Sequence, residues 1–285
     1  MTVPDEDRTK EALERVEREG REPGLGEVLW HELDLRDPRN AKGSAERFIE
    51  KEKRLDILVN NAALLQNTRI TDLGNPQLNV DGVQDNMAIN YLGPFVFTQT
   101  LLPLLESTAA DGSDVRIVNV GSDGHKDVSY LDYSSKEAWN HKFRWTMLPT
   151  LERYKFSKLA VHLWTNNLAK RLTADKSKVL VLLVHPGAIL SDGAIRSLKT
   201  LPVPKFWIWL LGTMMYSQEQ GAFTTVFAAG APRDNAEISH GAYIFPPNVA
   251  VVQAPGALDE ARQKQLFEVT KEILNSAGVS VKGFT

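Results

Sequence analysis

Three short apolar runs constrain this chain more than any other feature: "LDILVNNA" (55–62), "DVRIVNVGS" (114–122) and "KVLVLLVHPG" (178–187). Each is rich in Val, Ile and Leu, bounded by turn residues, and lacks the polar alternation of a strand with one wet face. Each therefore reads as a buried parallel strand. Between them lie long helical stretches, "DNMAINYLGPFVFTQTLLPLLES" (85–107) and "LERYKFSKLAVHLWTNNLAKRL" (151–172). Parallel strands need such crossovers. The alternation predicts an α/β fold, a doubly wound parallel sheet in a single domain over 1–285. The remaining elements fit it: an amphipathic helix over 8–19, a strand over 26–35, a helix opening at Ser44 as its cap, a strand over 240–246 and a helix over 259–274. The 151–172 helix carries two apolar stripes, Phe156, Leu159 and Leu163, and Val161, Trp164 and Leu168. One is expected on the sheet, and the other on a partner helix or a neighbouring element of the same chain.

The spacing of Gly20, Gly24 and Gly26 in "GREPGLG" invites a nucleotide-binding turn. A phosphate loop must follow a strand and open a helix, because the phosphate sits on the helix N-terminus. This stretch follows a helix and leads into a strand, so it reads as a C-cap and connector. A net charge of −3 argues against a dedicated nucleic-acid binder. The absence of cysteine excludes disulfides, thiolate metal sites and cysteine nucleophiles, and fits a reducing, cytoplasmic setting. No metal site is expected. The N-terminus is acidic and lacks the apolar core of a signal peptide, and no run reaches the roughly 18 uninterrupted apolar residues of a membrane span. The nearest, "FWIWLLGTMMY" (206–216), reads as a buried helix, a lid over an apolar ligand, or a shallow membrane contact.

Tyr154 and Lys158 in "YKFSK" are four apart and share a helix face. A phenol's pKa of about 10 is too high for acid–base work near neutrality, and a neighbouring ammonium lowers it. Ser122 closes the "VRIVNV" strand, at the end where open α/β sheets present side chains to ligands. Its hydroxyl suits a substrate carbonyl.

Taken in order, "LVNNA", "NYLGPF", "RIVNVGS", "YKFSK" and "HPGAILS" resemble the short-chain dehydrogenase/reductase family, and most closely its retinol-dehydrogenase-like branch, common among fungal biosynthetic enzymes. The resemblance runs over about residues 8 to 275. It implies a Rossmann-like fold and an NADP or NAD cofactor. It implies Tyr154 as general acid/base, Lys158 as the group that lowers its pKa and holds the nicotinamide ribose, Ser122 as the orienting hydroxyl, and Asn90 as the anchor of a water in the proton relay. Asp34 resembles the adenine contact, Asn60 lies beside the adenosine ribose, and Ile189 and Ser191 match the segment that holds the nicotinamide amide. Asn60 also has a purely structural reading, since asparagines at strand ends often bind backbone.

The departures from the pattern are specific. Ala63 stands where the motif carries glycine, Ser191 replaces threonine, and the aromatic "KEAWNHKFRW" lies in an insertion expected to shape one wall of the substrate site. The sequence also lacks the strand, glycine loop, helix and strand with which the family begins, so the Rossmann-like domain is expected to be N-terminally incomplete, with a substrate-lid insertion over 192–239. The implied function is an NAD(P)-dependent oxidoreductase interconverting a secondary alcohol and a ketone on an apolar small molecule, in secondary metabolism. The alternatives are a redox-inactive homologue that binds a ligand or partner, and a cofactor-independent dehydratase or isomerase. Trp207 and Trp209 suit a weak membrane-surface contact. The oligomeric state is open.

Overall fold

A computed structural model of the chain describes residues 2–3, 10, 13–14, 16–18, 26–65, 75–189, 195, 198–199, 203–212 and 215–281. Half of the expected 8–19 helix and all of "GREPGLG" but Gly26 lie outside them; residues 10, 13, 14 and 16–18 are helical. Gly26, which is described, has a left-handed φ of 80° with open space where a Cβ would stand, as a connector requires.

The described strands form two sheets. β1 (Thr2–Val3) pairs in parallel with β2 (His31–Glu32). The main sheet has the order β3 (Ile57–Asn60), β4 (Arg116–Val120), β5 (Leu180–Val184), β6 (Tyr243–Phe245) and β7 (Val249–Val251). Its first three pairings are parallel and the last is antiparallel. β4 and β5 are buried throughout. β3 departs from the expected buried strand: it is the sheet's edge, and of its apolar residues only Leu58 is buried, with Ile57 and Val59 exposed. β7 is an addition that the sequence did not announce, a short return strand after Phe245.

Helix α1 (Pro38–Lys51) opens on Pro38 and is capped by Asp37, whose carboxylate accepts from the Arg39 N–H. Ser44, the expected cap, lies inside the helix and is buried. Its hydroxyl donates to the Glu32 carbonyl at 2.5 Å and stands 2.9 Å from His31 Nε2, so it ties α1 to β2 instead. A proline at the first helical position with an acidic residue before it is the stronger start signal. The next helical segment is one continuous run: a turn over Asp85–Met87, a π-helical turn over Ala88–Leu92, and α2 (Gly93–Ala110). By length and composition the whole run would suit a membrane, but 83% of its apolar window is buried inside the protein. It is a core helix.

The short α3 (Lys136–Trp139) comes from the aromatic insertion. Trp139 is fully buried with its ring against Tyr91, and its carbonyl accepts from the Gln84 amide. This part of the insertion is pinned to the start of the long helix. α4 (Pro149–Ala174) is buried along both apolar stripes by its own chain. Phe156, Leu159, Leu163, Trp164 and Leu168 join the main core, and Val161 packs with Leu183 and Tyr243.

The other sheet face carries Val118, Val120, Leu182, Val184 and Ile244, packed with Ala228. Within 192–239 the structure describes α5 (Pro204–Gly212) and α6 (Gln218–Gly230), the latter started by a reciprocal cap between Ser217 and Gln220. α6 is a sheet-covering helix and not a lid. It buries Thr224 and Ala228, and the buried Arg116 guanidinium donates to the carbonyls of Ala228 and Ala231. α7 (Glu260–Ser276) packs on α4 and closes the fold.

Gly93 stands where α2 meets the backbone after β2. A Cβ there would lie 2.2 Å from the Leu35 carbonyl oxygen. Backbone cannot swing aside as a side chain can, so Gly93→Ala must push α2 away from the Leu35 backbone. We expect a loss of about 2 kcal/mol or more, as for other overpacked core sites, read as a fall of several degrees in thermal midpoint. A midpoint within 1 °C of the parent would contradict this contact.

Candidate active site

The C-terminal end of β4 and one face of α4 meet over a buried ammonium. Lys158 Nζ donates to the Val120 carbonyl at 2.7 Å, which holds α4 against the strand end. One turn earlier on that face stands Tyr154, whose phenolate form is stabilised by the nearby Ser122 hydroxyl. Ser122 itself leaves the strand as the cap of a 3-10 turn over Asp123–Asp127, its hydroxyl accepting from the Gly124 N–H at 3.2 Å. Lys158 Nζ lies over the Tyr154 ring, 5.7 Å from its centroid. The structure thus brings Ser122, Tyr154 and Lys158 together.

Asn90 joins them from the π-helical turn, a geometry frequent at functional sites. Its Nδ2 donates to Ser157 Oγ at 2.8 Å and to the Leu64 carbonyl at 3.0 Å, while its Oδ1 accepts from the Leu64 N–H at 2.6 Å. Ser157 in turn donates to the Tyr154 carbonyl. Both amide hydrogens of Asn90 are committed to protein, so it clamps the turn after β3 to α4. What it retains for a water is acceptor capacity on Oδ1 alone.

The electrostatics differ from the expected activation of Tyr154 by Lys158. Burial pushes the phenol up to about 12, and the Ser122 hydroxyl is what pulls it down. Burial likewise drives the Lys158 ammonium down to about 8. The physical reason is that the ammonium bonds a carbonyl and lies over the ring, so desolvation dominates both groups. At neutral pH Tyr154 is a protonated acid beside a charged Lys158.

The other assigned residues divide by position. Asp34 is exposed, its carboxylate accepting from the Arg36 N–H at 2.9 Å and its own N–H donating to Asn40. Asn60 is held by side chains and not by the backbone its structural reading expected: Nδ2 donates to Thr98 Oγ1 at 2.9 Å and to Asn119 Oδ1 at 2.7 Å, which leaves no amide hydrogen for a ribose. Ile189 packs onto Gly221 of α6, where a Cβ would come within 2.1 Å of its side chain. Ser191 lies outside the described residues. Ala62 and Ala63 are exposed beyond β3.

A nicotinamide ribose finds a suitable donor set here. An ammonium has three donors, and Lys158 spends one on Val120, leaving two beside the Tyr154 and Ser122 hydroxyls. The pyrophosphate side is different. Among the described residues, no strand passes through a glycine-rich turn into a helix, and the first turn of α1 carries a capping carboxylate, Asp37, where an anion would need N–H groups. The fit is with the nicotinamide half.

Three histidines around Ser122 escaped the sequence reading. His162 follows Lys158 by four residues, so Tyr154, Lys158 and His162 fall on one helical face; the extended spacing was the available signal. The His125 and His162 rings stack at 3.7 Å. His185, just past β5, accepts from the Asp123 N–H. Burial lowers all three: His185 to about 4, His162 well below the usual range, with His125, Lys158 and His185 adding repulsion, and His125 more modestly.

A family profile described as short chain dehydrogenase matches residues 2–143. A short-chain dehydrogenase/reductase of Armillaria gallica is 40% identical over 267 residues, 92% of this chain and 80% of that protein. Human retinol dehydrogenase 14 is 30% identical over 285 residues, 95% of this chain and 77% of its own. Among solved structures, an uncharacterized protein from Mycobacterium paratuberculosis aligns with a TM-score of 0.63 at 25% identity, covering 96% of this chain and 83% of its own. An NADPH-bound carbonyl reductase from chicken fatty liver aligns at 0.57 and 18% identity, with 88% and 86% covered, a likeness of fold.

The buried histidines set an acid limit on stability. Each has a folded pKa below its unfolded value, so the unfolded chain takes up protons first and stability falls as pH drops below about 6.5. For His185 the interval runs from 6.5 down to about 4, on the order of 3 kcal/mol at 1.36 kcal/mol per unit. Urea midpoints at pH 7.5, 6.0 and 5.0 should decline progressively. A midpoint constant from pH 7.5 to 5.0 would contradict the neutral assignments.

Proposed function

The chain belongs to the short-chain dehydrogenase/reductase family, and from that premise we propose that it interconverts a secondary alcohol and a ketone on an apolar small molecule with NAD(P). The observation that carries this is the contact of the Tyr154 phenol with Ser122, one helical turn from an ammonium fixed on the Val120 carbonyl. A bound nicotinamide supplies the hydride exchange. The protein's own residues handle the proton and the geometry.

In the reducing direction the substrate oxygen is received by the Ser122 hydroxyl and the Tyr154 phenol. Tyr154, protonated across the neutral range, gives its proton to that oxygen as the carbonyl carbon takes up hydride, and one C–O π bond becomes an O–H and a C–H bond. The phenolate left behind is stabilised by the Lys158 ammonium. In the oxidising direction the deprotonated form of Tyr154, a small fraction at neutrality that grows as pH rises, accepts the hydroxyl proton. Asn90 and Ser157 keep α4 and the turn after β3 in register, so the phenol stays aimed at Ser122.

The apolar character of the substrate is supported by α5, which presents Phe206, Trp207 and Trp209 at 48%, 38% and 66% exposure in the segment after "HPGAILS". The two tryptophans also support a weak membrane-surface contact, since indole rings favour the interface between apolar and wet phases. The sequence's resemblance to the retinol-dehydrogenase-like branch, common among fungal biosynthetic enzymes, supports a place in secondary metabolism.

Tyr154→Phe removes the acid and leaves the ring. With 2-decanol and NADP as probes, we expect kcat to fall at least roughly 10²-fold, with the melting temperature close to the parent's. Turnover within threefold of the parent would remove Tyr154 from the acid–base role.

A further inference from the structure

The polar groups behind Ser122 are arranged so that the two imidazoles each have one permitted state. His125 Nδ1 stands 2.7 Å from the Ser122 carbonyl, an acceptor only, so Nδ1 carries the proton; its Nε2 accepts from the Ala254 N–H at 3.2 Å. His162 Nδ1 meets Gln253 Oε1 at 2.9 Å, and its Nε2 accepts from the Ser122 N–H at 3.4 Å. Gln253 is held in that orientation by donating to Asn166 Oδ1, while Asn166 donates to Gln253 Oε1 and to the Ala257 carbonyl. Both rings are therefore neutral Nδ1–H tautomers, and between them they hold the N–H and the C=O of one residue, Ser122. Gly121 makes room for this: a Cβ there would lie 2.5 Å from His162 Nε2.

We propose that His162, with His125 stacked on it, is a positioning residue for Ser122. The neutral pair fixes the serine backbone so that its hydroxyl meets the Tyr154 phenol; protonation of His162 turns its Nε2 against the Ser122 N–H and lets Ser122 go, while protonation of His125 sets its Nε2 against the Ala254 N–H. The reason lies in the hydrogen-bond directions. A proton added to Nε2 of either ring would point at a backbone N–H that is already donating, turning an attraction into a repulsion. With the rings 3.7 Å apart, a charge on one also opposes a charge on the other.

The groups facing the pair come from every neighbouring element. They are Lys158 on α4, Asp123, Lys126 and Asp127 on the 3-10 turn, His185 after β5, and Tyr243 on β6, whose buried hydroxyl has no hydrogen-bond partner among the described residues. Lys158, Lys126 and His185 disfavour a charge on the pair, and Asp123 and Asp127 favour one on His125. Burial outweighs all of them, so the switch operates on the acid side of neutrality.

The inference rests on the reading in which Ser122 works beside Tyr154, and its test separates the two. The first readout is the Ser122 backbone amide in 1H–15N NMR of the full chain, which needs no turnover. In the parent this signal should shift as pH falls below 6.5, together with the imidazole nitrogens of His125 and His162. In His162→Gln, which can place an oxygen where Nε2 stood but cannot titrate in this range, the amide shift should stay near its neutral position through acid. The second readout is turnover of 2-decanol with NADP. His162→Leu should lower kcat on the order of 10- to 100-fold, the scale of a misplaced catalytic group, with KM within about threefold. His162→Gln should restore most of kcat and flatten the acid limb of the pH profile. An Nε2–H tautomer for His162 in the parent overturns the proposal, as does a Ser122 amide unmoved by His162→Leu. Should His162→Leu fail to fold, His162→Gln and the parent decide alone: an acid limb identical in both overturns it. A parent that turns over no 2-decanol counts against the proposed function, while the amide shift still decides this one.

Discussion

A buried lysine ammonium imposes the order on which this site depends. Removing such a charge from water costs several kcal/mol unless it is bonded, and Lys158 finds its partner in the carbonyl of Val120, the last residue of β4. That bond fixes the rotation and height of α4 against the end of the sheet. Once α4 is fixed, Tyr154 must stand one turn earlier on the same face, and Ser122 must leave β4 within its reach. The same burial that demands the bond also lowers Lys158 to about 8 and raises Tyr154 to about 12. The site therefore holds its proton on the phenol at neutrality, ready to give.

Amides extend the arrangement. Asn60 on β3 donates to Asn119 on β4, and Asn119 donates to Thr165 on α4 at 2.9 Å, so a row of side chains crosses from the edge strand to the helix. Asn90 makes the corresponding connection from the long helix to Ser157 and the turn after β3. In a low-dielectric interior such networks are favourable only when each member is satisfied. They specify one register between strands and helices where apolar packing would tolerate several.

Much of this was legible in the sequence because it rests on short-range patterning. The apolar runs at 114–122 and 178–187 became fully buried strands, and the four-residue spacing of Tyr154 and Lys158 placed them on one face. What was missed rests on long-range placement. Apolar content cannot tell a central strand from an edge, so the exposure of Ile57 and Val59 was invisible. Ser44 has the chemistry of a cap, but Pro38 starts the helix earlier and the Glu32 carbonyl claims its hydroxyl. The 218–230 helix has a composition as suited to a lid as to a sheet cover, and it takes the packing of Ala228 on the sheet and Arg116, reaching across to Ala228 and Ala231, to reveal which. The tyrosine's acidity followed burial, a quantity that no local spacing encodes.

The central claim is that this constellation moves a hydride's companion proton and does not act alone on its substrate. The direct measurement is the fate of a label: 2-decanol carrying deuterium on its carbinol carbon, incubated with the full chain and NADP, followed by mass spectrometry of both products. The account predicts 2-decanone formed in equal amount to reduced nucleotide, with the deuterium carried on the nicotinamide ring. An alkene or isomerised alcohol formed without nucleotide reduction would contradict it.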